Sequence, residues 1–106
     1  LFDRARELGV GFYVGYAELA PDGRRFNSAV TVGPDGAALF RYRKVHLPGS
    51  DRVKDGQRYQ QLEKMYFEYG DLGFPVARGP AAWGRPVLGM LVCNDRRWPE
   101  GWRCLG

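Results

Sequence analysis

The 106-residue sequence predicts an α/β fold, and two observations carry that prediction. Three segments rich in strand-forming residues are joined by two identical Pro-Asp-Gly turns, at 21–23 and 34–36. Proline presets φ and glycine supplies positive φ, so each turn can reverse the chain and produce an antiparallel meander. In addition, the apolar run 87–92 is followed by Trp98-Pro99-Glu100, where a proline beside an acid marks a helix start. The chain therefore combines a β-meander with a strand that turns into a helix.

The elements of the meander follow from their residue patterns. Residues 1–8 place apolar side chains at helical spacing between charged ones, and Gly9 ends that helix. Residues 12–17 are strand formers, and residues 26–32 alternate as a strand does. The third strand is predicted to present on one face Ala38, Phe40, Tyr42 and Lys44.

The second half of the chain is less regular. Residues 50–61 are polar, which predicts a surface excursion, whereas residues 62–67 fit a helix and a strand equally well. Residues 81–85 are expected to form a loop. The apolar run 87–92, bounded by Pro86, predicts a buried strand.

Cysteine and histidine counts restrict the chemistry. Two cysteines are too few for a disulfide scaffold, which is typical of a protein of the reducing cytoplasm. One histidine and no paired cysteines leave too few ligands for a metal site, so we expect no metal and no cofactor. The sequence shows no signal peptide and no transmembrane run, and we expect no membrane partner.

The net charge of +4 and the many aromatic residues raise the possibility of a nucleic-acid surface. The positive charges are scattered, however, over Arg24-Arg25, Arg41 to Lys44 and Arg96-Arg97. The aromatic residues lie mostly on strand-like segments, where they would pack. We therefore expect no nucleic-acid partner and assign the arginines to solvent or to a small-molecule substrate.

Cys93 follows the apolar run and precedes the predicted helix. A thiol at such a turn projects from the sheet, and nearby backbone N–H groups and the helix dipole favour its thiolate form. This position suits a catalytic nucleophile. A cysteine that ends an apolar strand and packs the core would show the same pattern. Cys104, between Trp102 and Leu105, is expected to be packed on the helix.

Lys44 ends the third strand on the face of Phe40 and Tyr42. Partial desolvation there would suit a lysine that transfers protons, although a lysine at a strand end can also extend into solvent. Glu63 lies beside an apolar residue and before a Tyr-Phe pair, so it is either partly buried or simply exposed.

Three separated stretches together identify a family. They are RYRKVHLPG at 41–49, LEKMYFEYGDLGFPV at 62–76 and CNDRRWPE at 93–100. They resemble the nitrilase superfamily of carbon–nitrogen hydrolases, and within it the N-carbamoyl-D-amino acid amidohydrolases. GYAEL at 15–19 and RFN at 25–27 belong to the same resemblance. Residues 1–106 are then expected to be a central portion of one such domain, truncated at both ends.

The resemblance implies an αββα sandwich with a Glu, Lys and Cys active site. In it Cys93 is the nucleophile, Lys44 the catalytic lysine and Glu63 the glutamate that orients the lysine and the substrate nitrogen. His46 matches a histidine near the active site, whereas Gln61 stands where the D-carbamoylases have another histidine. The general-base glutamate of the family is expected upstream of these residues. Glu18 does not match it, since it belongs to the GYAEL stretch.

The resemblance also implies a reaction. The Cys93 thiolate would attack a ureido carbonyl and expel ammonia, and water would hydrolyse the resulting thioester. Lys44 and a backbone N–H after Cys93 would stabilise the oxyanion. Arg96 and Arg97 favour an α-carboxylate substrate, because guanidinium binds carboxylate in a bidentate fork. The predicted substrate-binding residues are Arg96, Arg97, Asn94 and His46.

The predicted function is thus hydrolysis of N-carbamoyl-D-amino acids by a homo-oligomeric full-length enzyme. The alternatives are another nitrilase-type amidase, a β-ureido acid hydrolase, and a non-catalytic gene fragment or basic binding module.

Overall fold

The computed structural model describes residues 1–106 and contains three α-helices, five strands and two 3₁₀-helices. In chain order they are α1 (Phe2–Leu8), β1 (Phe12–Leu19), β2 (Arg25–Val32), β3 (Ala38–Arg43), α2 (Glu63–Tyr66), β4 (Val76–Arg78), a 3₁₀-helix (Ala81–Trp83), β5 (Val87–Gly89), a second 3₁₀-helix (Cys93–Arg97) and α3 (Pro99–Leu105). The predicted α/β class is confirmed. No helix is long and apolar enough to cross a bilayer.

The first three strands form the predicted antiparallel meander, in the order β1-β2-β3. Its turns adopt the expected geometry, with φ of 85° at Gly23 and 78° at Gly36. A register shift between Thr31 and Val32 puts Ala38 opposite Val32 while Phe40 lies opposite Thr31. Opposed residues share a sheet face, so the alternation expected for the third strand holds from Phe40 onwards but not at Ala38.

One face of the meander is stabilised by charges. Arg43 donates hydrogen bonds to both oxygens of Glu18, at 3.1 and 2.6 Å, and Ser28 donates to Glu18 at 2.6 Å. Arg43 also pairs with Asp71 at 2.8 Å and stacks on the Phe26 ring at 4.0 Å. This hydrogen-bonded cluster, buried at Glu18, Ser28 and Arg43, ties the three strands to the segment that follows α2.

The prediction of a buried strand over 87–92 is wrong for this chain. Only Val87–Gly89 form β5, which pairs with β4 alone, and Val87 is 59% exposed. The physical reason is that no layer fully covers this segment, since none of residues 87–92 is buried. Residues 62–67, which fitted a helix and a strand equally well, contain a single helical turn. Residues 51–59 are exposed, as expected for a surface excursion.

Candidate active site

Lys44 directly follows β3 and continues its hydrogen-bond ladder, with the Lys44 N–H donating to the Asn27 carbonyl at 2.8 Å. Its side chain is 1% exposed, and its Nζ donates to both carboxylate oxygens of Glu63, at 2.9 and 2.7 Å. The alternative of a lysine extended into solvent is therefore wrong. A buried ammonium needs a paired carboxylate, and Glu63 provides it.

Glu63 is the first residue of α2, and its side chain is 28% exposed. Asn27, on β2, donates from Nδ2 to Glu63 Oε2 at 3.1 Å. The carboxylate is thus held from two sides, by a cation and by an amide. The sequence prediction paired Glu63 with Lys44 but missed Asn27, although the RFN stretch that contains Asn27 supplied a signal.

Cys93 begins the second 3₁₀-helix after an extended Val92. The predicted strand does not reach Cys93, since β5 ends at Gly89, but the chain does turn out of an extended segment at the thiol. Its φ of 50° lies in the left-handed region, which costs a non-glycine residue about 1–3 kcal/mol and is concentrated at functional sites. The side chain is exposed. The predicted helix start is confirmed as well, since Trp98 is the N-cap and Pro99 the first residue of α3.

Asp95 is a fully buried carboxylate that the sequence prediction missed. Its Oδ1 accepts from the His46 backbone N–H at 2.8 Å and lies 3.0 Å from His46 Nδ1. Its Oδ2 accepts from the Tyr42 hydroxyl at 2.8 Å and from the Val92 N–H at 2.9 Å. Burial, and further the hydrogen bond to Asp95, raise the pKa of Tyr42 well above its usual value, so the hydroxyl keeps its proton.

His46 lies between two aromatic rings. Its ring stacks on Trp98 with centroids 5.1 Å apart and on Phe74 at 6.0 Å. Asn94 donates from Nδ2 to the His46 carbonyl at 3.2 Å. The Asn94 amide therefore contacts the backbone of the segment that follows Lys44, a structural contact in addition to its predicted role in substrate binding.

The two arginines after Cys93 are both exposed. Arg96 donates to the Cys93 carbonyl at 3.3 Å. A groove of about 440 Å³ beside Cys93 is lined by Arg96, Trp102 and the apolar residues Leu91 and Leu105. A cationic side chain thus lies at the edge of the space next to the thiol.

Two further residues clarify the candidate site. Cys104 is exposed, so the expectation that it is packed is wrong for this chain, where nothing covers that side of α3. Glu18 is 7% exposed, and its hydrogen bond to Arg43 lowers its pKa, as does Ser28. A carboxylate held in this way is a weak base, which agrees with leaving Glu18 out of the catalytic group.

The structure thus joins two of the three predicted catalytic residues directly, Lys44 and Glu63. It connects the turn that carries Cys93 to the Lys44 segment through Asp95 and Asn94. Asp95 could have been suspected from its position two residues after Cys93, but a carboxylate in a charged stretch carries no pattern that distinguishes burial from exposure.

Comparisons with known proteins cover nearly all of the chain. The carbon-nitrogen hydrolase family model matches residues 1–106. The chain is 38% identical over 101 residues to N-carbamoylputrescine amidase of Solanum tuberosum, covering 95% of the chain and 29% of that protein. It is 40% identical over 105 residues to a nitrilase of Pyrococcus abyssi, covering 99% of the chain and 33% of that protein.

A solved structure is similar as well. A mutant of the amidase from Nesterenkonia sp. AN1, with acrylamide added at its active site cysteine, superposes with a TM-score of 0.75 at 28% identity, covering 97% of this chain and 35% of that one. The chain therefore spans about a third of the length of these proteins. The finer resemblance, to N-carbamoyl-D-amino acid amidohydrolases, is not decided by these relatives and stays a prediction. The nitrilase-type fold is confirmed, and the chain belongs to the carbon-nitrogen hydrolase family of the nitrilase superfamily.

Proposed function

We propose that the full-length protein hydrolyses the ureido C–N bond of N-carbamoyl-D-amino acids, with Cys93 as nucleophile. The observation that carries the proposal is the buried pair of Lys44 and Glu63, whose segment is linked through Asp95 to the strained turn at Cys93. A thiol exposed on such a turn, on a segment hydrogen-bonded to the one that carries a fixed ammonium, suits acyl transfer.

The reaction has two steps. The Cys93 thiolate adds to the ureido carbonyl, Lys44 stabilises the oxyanion and supplies a proton, and ammonia leaves as a thioester forms. Water then hydrolyses the thioester, which restores the thiol and releases a carbamate that loses carbon dioxide to give the amino acid. Glu63 holds Lys44 in place. The base that takes the thiol proton and activates water is proposed to be the upstream glutamate of the family.

We propose a substrate with a carboxylate because two positively charged residues follow shortly after Cys93. Arg96 lines the groove beside Cys93, and Arg97 follows it directly. Guanidinium groups would bind an α-carboxylate and repel the ammonium end of N-carbamoylputrescine. The name of the Solanum tuberosum relative supports ureido chemistry but favours that cationic substrate instead. Another amidase activity, a β-ureido acid hydrolase and a non-catalytic gene fragment remain the alternatives.

The test is ammonia release by the full-length protein from five substrates. They are an N-carbamoyl-D-amino acid, its L isomer, a β-ureido acid, N-carbamoylputrescine and a simple amide. We expect the highest kcat/KM for the D isomer, and loss of all release in Cys93→Ala. Cys104→Ser is the matched control and should retain activity, since Cys104 lies outside the proposed catalytic group. Preference for N-carbamoylputrescine would overturn the substrate, and release that survives Cys93→Ala would overturn the nucleophile.

A further inference from the structure

Asp95 is the most completely enclosed acidic side chain of the molecule, and the reaction proposed above does not use it. It is 0% exposed, and each of its carboxylate oxygens contacts two hydrogen-bonding groups. All of these groups are neutral when His46 is neutral: two backbone amides, a phenol and an imidazole. A buried carboxylate that lacks an arginine or lysine partner is costly to keep, so its retention calls for a reason beyond packing.

The positions of its partners suggest that reason. Val92 immediately precedes Cys93, and its N–H donates to Oδ2. The Asp95 N–H donates back to the Val92 carbonyl at 3.2 Å, which closes the turn in which Cys93 has its positive φ. On the other side, Tyr42 and His46 lie two residues before and two residues after Lys44. One carboxylate therefore connects the turn of the thiol with both flanks of the lysine.

The contact between Asp95 and His46 also bears on which ring nitrogen of His46 carries the hydrogen. His46 Nδ1 lies 3.0 Å from Asp95 Oδ1, which is a hydrogen-bond distance, and a carboxylate oxygen accepts, so the contact fits a ring that carries its hydrogen on Nδ1. The neutral ring then leaves Nε2 without a hydrogen and able to accept one. The stacking on Trp98 and Phe74 keeps the plane of the ring fixed.

We propose that Asp95 is a positioning residue, whose carboxylate sets the Cys93 turn against the Lys44 segment and holds His46 as the Nδ1–H tautomer. The effect on rate rests on the proposed function. The effect on the tautomer does not, and can be measured without a substrate. A misplacement of about 1 Å in a reacting group can lower a rate on the order of 100-fold. Loss of the Asp95 contacts should therefore lower kcat and leave KM nearly unchanged.

The test is Asp95→Asn in the full-length protein, compared with Ser28→Ala. The control removes a 2.6 Å hydrogen bond to another buried carboxylate, Glu18, which belongs to the charged cluster rather than to the Lys44–Glu63 pair. We expect Asp95→Asn to lower kcat by roughly 100-fold and to leave KM within about threefold of the wild-type value. Ser28→Ala should lower Tm by a similar amount but leave kcat unchanged. A kcat within threefold of wild type in Asp95→Asn, or an equal fall in Ser28→Ala, would overturn the proposal.

The substrate-free readout is ¹⁵N NMR of the His46 ring, assigned by its loss in His46→Gln. Wild type should show the Nδ1–H tautomer, and Asp95→Asn should shift it towards Nε2–H; an Nε2–H ring in wild type would overturn the proposal. A wild-type protein that is inactive on every substrate would contradict the proposed function. The NMR measurement of the His46 tautomer would still test the role of Asp95 in that case. If Asp95→Asn does not fold, Tyr42→Phe is the second variant, because it removes one donor to the same carboxylate. It should lower kcat about tenfold relative to Ser28→Ala. Equal kcat values for Tyr42→Phe and Ser28→Ala would overturn the proposal.

Discussion

Replacing Glu63 with glutamine tests the pair that anchors the candidate site. Lys44 is 1% exposed and Glu63 28% exposed, with Nζ bonded to both carboxylate oxygens. Removing one partner of a buried ion pair costs about 3–5 kcal/mol. Glutamine keeps one acceptor oxygen and the site is partly open to water, so we expect a loss of about 2–3 kcal/mol in the free energy of unfolding.

The same substitution should slow the reaction. Glutamine leaves Lys44 with one neutral acceptor instead of two charged ones, so the ammonium is no longer fixed in the position from which it is proposed to stabilise the oxyanion. Loss of one positioned oxyanion donor lowers kcat by about 10²–10³-fold, and we expect a fall on the order of 100-fold.

The assays are urea denaturation and steady-state ammonia release, both on the full-length protein. Glu68→Gln is the matched control, because Glu68 is exposed and its side chain makes no ion pair. A Glu63→Gln protein whose stability and kcat equal those of Glu68→Gln would refute the reasoning.

Three further predictions concern the surroundings. Arg96→Ala and Arg97→Ala should raise KM about tenfold for a carboxylated substrate, with little change in kcat or in KM for its amidated analogue; an equal effect on both substrates would assign the arginines to structure. Iodoacetamide at neutral pH should modify Cys93 before Cys104, and peptide mapping would reveal the opposite order. Glu18→Gln should lower the free energy of unfolding at pH 7. Because an arginine partner holds the pKa of Glu18 below its ordinary 4.5, this contribution is present above pH 4.5 and lost as pH falls further; a difference that stays constant across urea titrations from pH 7 to pH 3 would contradict it.

Much of the fold follows from local chemistry. The Pro-Asp-Gly stretches favour tight turns through their own residues, so the meander could be predicted without knowledge of its surroundings. The helix start at Pro99 is local in the same way. The exposure of β5 could not be predicted in this way, because burial depends on which layers cover the strand rather than on its own residues. The same reason explains the exposure of Cys104.

The candidate site divides along a similar line. Lys44, Glu63 and Cys93 were predicted because each matches a specific stretch of a known family. The contacts that build the site are long-range in sequence: Glu63 is 19 residues from Lys44, and Asp95 is 49 residues from His46. No pattern within one segment encodes such pairs. Asp95 was missed for this reason.

The central proposal is that Cys93 of the full-length protein forms a covalent intermediate whose oxyanion Lys44 stabilises. The most direct measurement is rapid quenching of the full-length protein during turnover of an N-carbamoyl-D-amino acid, followed by mass spectrometry of its peptides. We predict an adduct of the substrate minus ammonia on the Cys93 peptide, absent in Cys93→Ala and more abundant when water attack is slowed. Steady turnover with an unmodified Cys93 peptide, or an adduct on Cys104, would contradict the account.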